Sequence, residues 1–327
     1  MVKKLIGKTL IALIPLALLA VFFFVFEPSD YWGIKGKSNY NERAISGLRE
    51  VLLRDVDRII VGDSRTANLN EGAIEEASGK DYCDLAFGGA TLDDSLRMVN
   101  YALDHDDIKE IVIGLSFYNM NDNHSSNRVD PVIPIAEDPA KYIKNAQYWT
   151  VALKNFNAAV LNPIADLTGA DILRVDIEDP SQLKQVYQLS EEYIHGWRRD
   201  LWDYGVIINE QMDSLGYSFS GNVEKLRELA AVCEERDIEL VFILFPSNRV
   251  IWENVIYTRG MDVELEAYKE ELKKLGTVYD MEFYSELART DDLFQDGFHM
   301  TLDGKMMVID AVFGNGEYDW CIVTEKQ

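Results

Sequence analysis

Five short apolar runs, alternating with stretches of helical spacing, constrain this chain more than any other feature. They lie at Arg58–Val61, 82–87, Glu110–Leu115, 239–245 and Thr277–Asp280. The third reads Glu-Ile-Val-Ile-Gly-Leu, nearly unbroken in apolar character, which suits a strand covered on both faces. Helical spacing recurs at 42–53, 92–103, 223–236, 264–275 and 301–312. Strands separated by helices predict an α/β fold, a three-layer α/β/α sandwich around a mainly parallel five-stranded sheet with right-handed crossovers. With 327 residues, 47% of them hydrophobic, the chain can build one substantial core and a lobe beside it. No internal repeat is visible.

The alternation stops between about 121 and 220. Pro131, Pro134, Pro139, Pro163 and Pro180 punctuate that stretch, which reads as a mostly helical insertion. It is rich in aromatics: Tyr142, Tyr148, Trp149, Tyr187, Tyr193, Trp197, Trp202 and Tyr204. Aromatics of this kind either stack on sugar rings or fill a helical core. Core packing is the expectation for most, with one or two exposed near a site.

At the N-terminus, Lys3, Lys4 and Lys8 precede or enter an apolar run that begins at Leu5 and ends at Phe26. At about 1.5 Å per residue it roughly spans a bilayer's hydrocarbon core. It is long for a signal peptide and ends in Val-Phe-Phe-Phe-Val-Phe without a small-residue cleavage pattern. An uncleaved transmembrane anchor over 1–26 is therefore expected, with the lysines held in the cytoplasm. A linker over 27–39, marked by Pro28, Gly33, Gly36 and Ser38, would join it to an extracytoplasmic domain over 40–327.

Composition excludes several functions. A net charge of −24 argues against nucleic acid, which needs a basic surface. Cys83, Cys233 and Cys321 have no metal-ligand spacing, and His105, His124, His195 and His299 form no HxxxH or HxH pair. No metal or other cofactor is expected. No glycine-rich nucleotide loop follows any strand.

Two motifs carry chemistry. Val61-Gly62-Asp63-Ser64-Arg65 sets a serine directly after the first strand, and Asp296-Gly297-Phe298-His299 sets a carboxylate three residues before a histidine. Together they supply a nucleophile, a base and an orienting acid. Taken alone, Ser64 is as readily a helix cap, and the Asp296/His299 pair a surface turn. Arg65 either meets an anionic substrate or pairs with a nearby acid.

In order and context these residues resemble the SGNH (GDSL-type) hydrolase superfamily. The Ser block is Ile60-Val61-Gly62-Asp63-Ser64. The Gly block is Leu85-Ala86-Phe87-Gly88-Gly89-Ala90-Thr91, after the second strand. The His block is Asp296-Gly297-Phe298-His299, followed by Gly304 and a closing helix. The Asn block departs from the family pattern: Gly-x-Asn-Asp is replaced by Gly114-Leu115-Ser116-Phe117-Tyr118-Asn119-Met120-Asn121-Asp122. The resemblance implies Ser64 as nucleophile, His299 as base and Asp296 as its orienting acid. It implies an oxyanion hole from the Ser64 N–H, the Gly89 N–H and Asn119, with Asn121 and then Ser116 as substitutes. The layout is most similar to the membrane-anchored, DltD-like and polysaccharide-acylating branch. That implies an O-acyl esterase or transferase at the cell membrane, an envelope glycopolymer as substrate and a membrane-bound O-acyltransferase as partner. A catalytically weak binding partner is the alternative, supported by the altered Asn block.

Overall fold

The computed structural model describes residues 2–35, 43–169 and 200–326, excepting the side chains before Leu13 and that of Arg43. Pro180, Tyr187, Tyr193, His195 and Trp197 lie outside the described residues, as do 36–39 of the expected linker. Strands β1 (Arg58–Val61), β2 (Cys83–Asp84), β3 (Glu110–Leu115), β4 (Glu239–Leu244), β5 (Thr277–Asp280) and β6 (Ile322–Thr324) form one sheet in the order β2-β1-β3-β4-β5-β6. The first five pair in parallel. Strand β6 pairs antiparallel with β5, so the sheet has six strands where five were expected. Two of the three β6 residues are exposed. Its run, Trp320-Cys321-Ile322-Val323, is apolar but short, and it follows the closing helix outside the strand–helix alternation.

The apolar runs are unbroken because both faces of the sheet are covered. Ile59, Val61, Ile111, Ile113, Phe242, Leu244 and Val278 belong to one core, which takes in Leu48, Met98, Leu226 and Leu265 from helices Arg43–Leu53, Leu92–His105, Ser220–Arg236 and Asp262–Leu272. The residues between them, Ile60, Val112, Val241 and Ile243, form a second core with Ile74 of helix Glu71–Ser78 and Val308, Ile309 and Val312 of helix Leu302–Phe313. Alternate residues of each strand thus serve opposite layers. Each fully buried aliphatic side chain contributes about 1.5–3 kcal/mol, which fixes strand register against a one-residue slip.

The order β2-β1-β3 places the topological switch between β1 and β3. Chains leaving the carboxyl ends of those two strands diverge there and open a crevice. Gly62 and Gly114, at the two strand ends, close on the same side chain. A Cβ at Gly62 would lie 2.2 Å, and one at Gly114 1.9 Å, from Thr66 Oγ1.

The described parts of the insertion are largely helical, at Ile133–Glu137, Pro139–Lys144, Ala146–Phe156, Asn162–Thr168 and Leu201–Leu215. Pro134, Pro139 and Pro163 stand in first turns, where a missing N–H is harmless; these prolines start helices. Tyr142 and Tyr148 are buried core, Trp149 and Tyr204 are partly buried against it, and Trp202 is exposed.

Within the stretch expected to be linker, residues 27–31 are buried, while Gly33 and Ile34 are exposed. Glu27, Ser29, Asp30 and Tyr31 are buried. The Tyr142 hydroxyl donates to Glu27 (2.6 Å) and the Tyr31 hydroxyl to the Ala136 carbonyl (2.7 Å). Phe23, Tyr31, Trp32, Tyr142 and Trp149 form one aromatic cluster, so the end of helix Val2–Phe26 is held to the insertion. Further back, Leu13, Leu16, Leu18, Leu19 and Val21 are exposed. Among the described residues no helix is long and apolar enough to cross a membrane, so the expected transmembrane span is not found there.

Candidate active site

The turn after β1 carries the serine. Gly62 (φ +151°) lets the chain turn sharply, and helix Ser64–Ala67 begins at once. The cap of that helix is Asp63, whose carboxylate accepts the Arg65 N–H at 2.9 Å. Ser64 is therefore not the cap, and its half-buried side chain is free for another partner. That partner is 235 positions away: Ser64 Oγ lies 2.6 Å from His299 Nε2.

A small hairpin presents the histidine. Gln295 N–H donates to the His299 carbonyl (2.7 Å), Thr301 N–H donates to Leu293 (2.9 Å), and Phe294 bridges Met300. Inside the hairpin Asp296 is buried. Its Oδ1 accepts the Phe298 and His299 N–H groups (2.8 Å each), and its Oδ2 lies 2.7 Å from His299 Nδ1. The imidazole then carries its proton on Nδ1 and turns a lone pair at Nε2 toward the serine hydroxyl. Burial pushes the Asp296 carboxyl up, but the hydrogen bond and charge of His299 and the two backbone donors outweigh it and hold it below the usual range. Gly297 is required by closeness: a Cβ there would stand 2.7 Å from both Ile251 Cδ1 and Tyr204 Cδ1.

The two remaining blocks meet beside the serine. Ala90 N–H donates to the Phe87 carbonyl (3.1 Å) across a turn whose third residue, Gly89, has φ +65°, a conformation that favours glycine. Among the described residues neither the Ser64 nor the Gly89 N–H has a protein acceptor. Asn119, after β3, is buried and points its amide nitrogen at the same turn, donating to the Ala90 carbonyl at 3.1 Å. One amide hydrogen is left for a further acceptor. The two substitutes face elsewhere. Asn121 donates to the Gly216 carbonyl (2.8 Å) and so ties down the 216–218 turn. Ser116 donates to Asn119 Oδ1 (3.0 Å).

Arg65 is largely committed to its neighbours, with Nη1 alone left buried and without a hydrogen-bond partner among the described residues. It is 6% exposed. Its Nη2 donates to Asp63 Oδ2 (2.6 Å), to Asn119 Oδ1 (2.8 Å) and to Ser116 Oγ, and its guanidinium lies 5.2 Å over the Phe298 ring. The acid two residues earlier in the sequence claims it. Burial pushes the Asp63 carboxyl up, but the adjoining guanidinium overrides this and holds it low.

Sequence reasoning gave no role to Glu282, just past β5. It is fully buried. Its Oε1 accepts the Phe117 N–H at 2.8 Å, its Oε2 accepts the Tyr268 hydroxyl, and its carbonyl accepts the Lys269 ammonium. It thereby pins the loop that carries Ser116 and Asn119. No spacing singles out one acid among 56 Asp and Glu residues; only its place two residues beyond a core strand could have. Among the described residues no group of His, Cys, Asp and Glu could hold a metal ion, and the three cysteines are free thiols.

Burial pushes the Glu282 carboxyl up to about 7, against the attraction of Lys269 and the hydrogen bonds from Tyr268 and Phe117. A carboxyl held above its unfolded value contributes its stability in full below the unfolded value, and loses it as pH rises through the folded one. The difference in unfolding free energy between wild type and Glu282→Gln should therefore fall by roughly 3 kcal/mol between about pH 4.5 and pH 7.5. Urea titrations across that range measure it. A pH-independent difference contradicts the assignment.

No protein-family model and no curated protein matches the chain. Among solved structures, a protein of Streptococcus pneumonia provisionally described as a platelet activating factor is similar over 84% of this chain and 91% of its own, with a TM-score of 0.36 and 10% identity. A likeness that loose carries no argument about function.

Proposed function

We propose that this chain is a membrane-anchored serine esterase or O-acyltransferase of the SGNH type. It acts on O-acyl groups of a cell-envelope or secreted glycopolymer through an acyl-Ser64 intermediate. The observation that carries the reading is the unbroken hydrogen-bonded run from Ser64 Oγ through His299 to Asp296. Its setting at the β1/β3 switch point supports it, because open α/β sheets bind ligands there.

In this reading Ser64 Oγ attacks the ester carbonyl carbon while its proton passes to His299 Nε2. The imidazolium is stabilised by Asp296, already ionised at neutral pH. Negative charge gathers on the carbonyl oxygen and is received by the Ser64 and Gly89 N–H groups and the remaining amide hydrogen of Asn119. One such donor is worth about 2.7–4 kcal/mol in the transition state. The tetrahedral intermediate collapses, His299 gives its proton to the leaving alkoxide, and acyl-Ser64 remains. Water or an acceptor hydroxyl then repeats the sequence in reverse roles. Hydrolysis and transfer share the acyl-enzyme and differ only in that acceptor. A membrane-bound O-acyltransferase is the acyl-supplying partner the resemblance implies.

The anchor is supported by Leu13, Leu16, Leu18, Leu19 and Val21, apolar and exposed on one helix, together with the lysines that precede it. Lipid is the medium in which such a helix is stable. The domain then sits outside the cytoplasmic membrane. The full chain should stay in the pellet when membranes are washed with alkaline carbonate; release into the wash contradicts the anchor.

Turnover of an acetyl ester by the full chain tests the chemistry. Ser64→Ala and His299→Ala should each lower kcat by on the order of 10³-fold or more, and the double variant should fall no further, because the two act as a unit. Substantial activity in either variant removes that residue from the mechanism. A folded wild type without turnover favours a catalytically weak binding partner instead.

A further inference from the structure

Two glycines in succession leave the turn after β2 free to take either of two forms. Type I and type II turns differ by a flip of their central peptide. Here that peptide joins Gly88 to Gly89. In a planar trans peptide the carbonyl and the N–H point in opposite directions. Whatever fixes the Gly88 carbonyl therefore aims the Gly89 N–H. The turn observed has the type II pattern, with Gly89 at φ +65° and Gly88 outside the positive-φ region. Neither glycine has a side chain to impose that choice, so it must come from outside the turn.

Arg128, 40 positions later, supplies it. Its Nη1 donates to the Gly88 carbonyl at 3.1 Å. A Cβ at Gly89 would have the same guanidinium as its nearest neighbour, with Nη2 at 3.8 Å and Nη1 at 3.9 Å. The guanidinium also lies 4.9 Å over the Phe87 ring, so one side chain covers three consecutive residues of the turn. Arg128 is itself tied down by Asp94, whose Oδ1 accepts the Arg128 N–H at 2.7 Å and whose Oδ2 lies 3.4 Å from Nε. Asp94 is fully buried and completes the capping box of helix Leu92–His105 with Thr91, two residues past the glycine turn. Burial pushes its carboxyl up, but the Arg128 and Thr91 N–H groups, the Ser126 hydroxyl and the Arg128 charge outweigh it and hold it low. A charged donor makes the stronger kind of hydrogen bond. It also polarises the peptide whose carbonyl it holds, which makes that peptide's N–H a better donor.

We propose that Arg128 is a positioning residue for the oxyanion hole. By holding the Gly88 carbonyl it keeps the Gly89 N–H turned toward the acyl oxygen at Ser64 and strengthens that N–H as a donor. The inference rests on the acyl chemistry proposed for Ser64, and it gives Arg128 no contact with the substrate. Asn119 holds the far end of the same turn through the Ala90 carbonyl, so the two residues brace it from either side of the peptide that matters.

Two measurements on the full chain test this. Gly88-Gly89 is the one pair of adjacent glycines in the sequence. Glycine labelled with carbon-13 at the carbonyl and with nitrogen-15 therefore marks this peptide alone by its carbon–nitrogen coupling. Its NMR signal reads the peptide without catalysis. It should move in Arg128→Ala and return toward the wild-type position in Arg128→Lys, which keeps a charged donor. In ester turnover, Arg128→Ala should lower kcat by about 10- to 100-fold with KM unchanged, the pattern of an interaction made only in the transition state. Arg128→Lys should restore most of that loss. The Arg128 side chain is exposed, and circular dichroism checks that both variants are folded. A folded wild type without turnover ends the esterase reading, and the NMR signal then decides by itself whether Arg128 holds the peptide. The proposal is overturned if that signal is the same in Arg128→Ala as in wild type. It is overturned equally if Arg128→Ala raises KM and leaves kcat intact, as direct substrate contact would, or if Arg128→Lys is as impaired as Arg128→Ala.

Discussion

The candidate site depends on one buried cation. Arg65 is buried, and a single nitrogen of its guanidinium reaches Asp63, Ser116 and Asn119. Asp63 caps the helix that begins at Ser64, so the ion pair sets the nucleophile's turn. Ser116 and Asn119 belong to the loop after β3, so the same group joins the two sides of the switch-point crevice. It also fixes the Asn119 amide. With two donors aimed at its oxygen, the amide nitrogen can only face the Gly89 turn. Removing one member of such a buried pair costs about 3–5 kcal/mol, because the partner is left charged and dry. Chemistry at Ser64 therefore needs Arg65 for position, although Arg65 need never touch a substrate.

A second buried network backs the first. Glu282, Tyr268, Lys269 and Asp280 link β5 and its neighbouring helix to the Phe117 backbone, one residue beyond Ser116. The loop that departs from the SGNH pattern is thus held from both sides: Arg65 grips its side chains, and Glu282 grips its backbone. Its sequence differs from Gly-x-Asn-Asp, yet an Asn amide arrives beside the glycine turn.

The parallel strands were legible because burial on both faces leaves continuous apolar runs, as at Ile111, Val112 and Ile113. Strand β6 was not, since its short apolar run, Trp320-Cys321-Ile322-Val323, falls after the closing helix and outside the strand–helix alternation. Turn residues made 27–39 read as linker, while Tyr31 and Glu27 were already committed to partners more than 100 residues away. Within the site, Ser64, Asp296 and His299 could be named from their local settings, but their meeting is a product of topology. The role of Arg65 was left open between a substrate and a nearby acid, and the contact observed is with the acid, Asp63. Glu282 and the Trp252–Tyr257–Tyr284 ring cluster were hidden for a common reason. Each is assembled from loops at the ends of different strands, and no periodicity within one segment records which loops become neighbours.

The serine, the hairpin histidine and the ring cluster all stand at the carboxyl edge of one sheet, where β1, β3, β4 and β5 end. The central claim is that His299 and Asp296 make Ser64 nucleophilic. Intact-mass and peptide-mapping spectrometry after exposure of the full chain to a fluorophosphonate tests it most directly. The account predicts a single phosphonyl adduct, on Ser64, that forms far more slowly in His299→Ala. A folded chain that takes no adduct, or takes it on another residue, would contradict it.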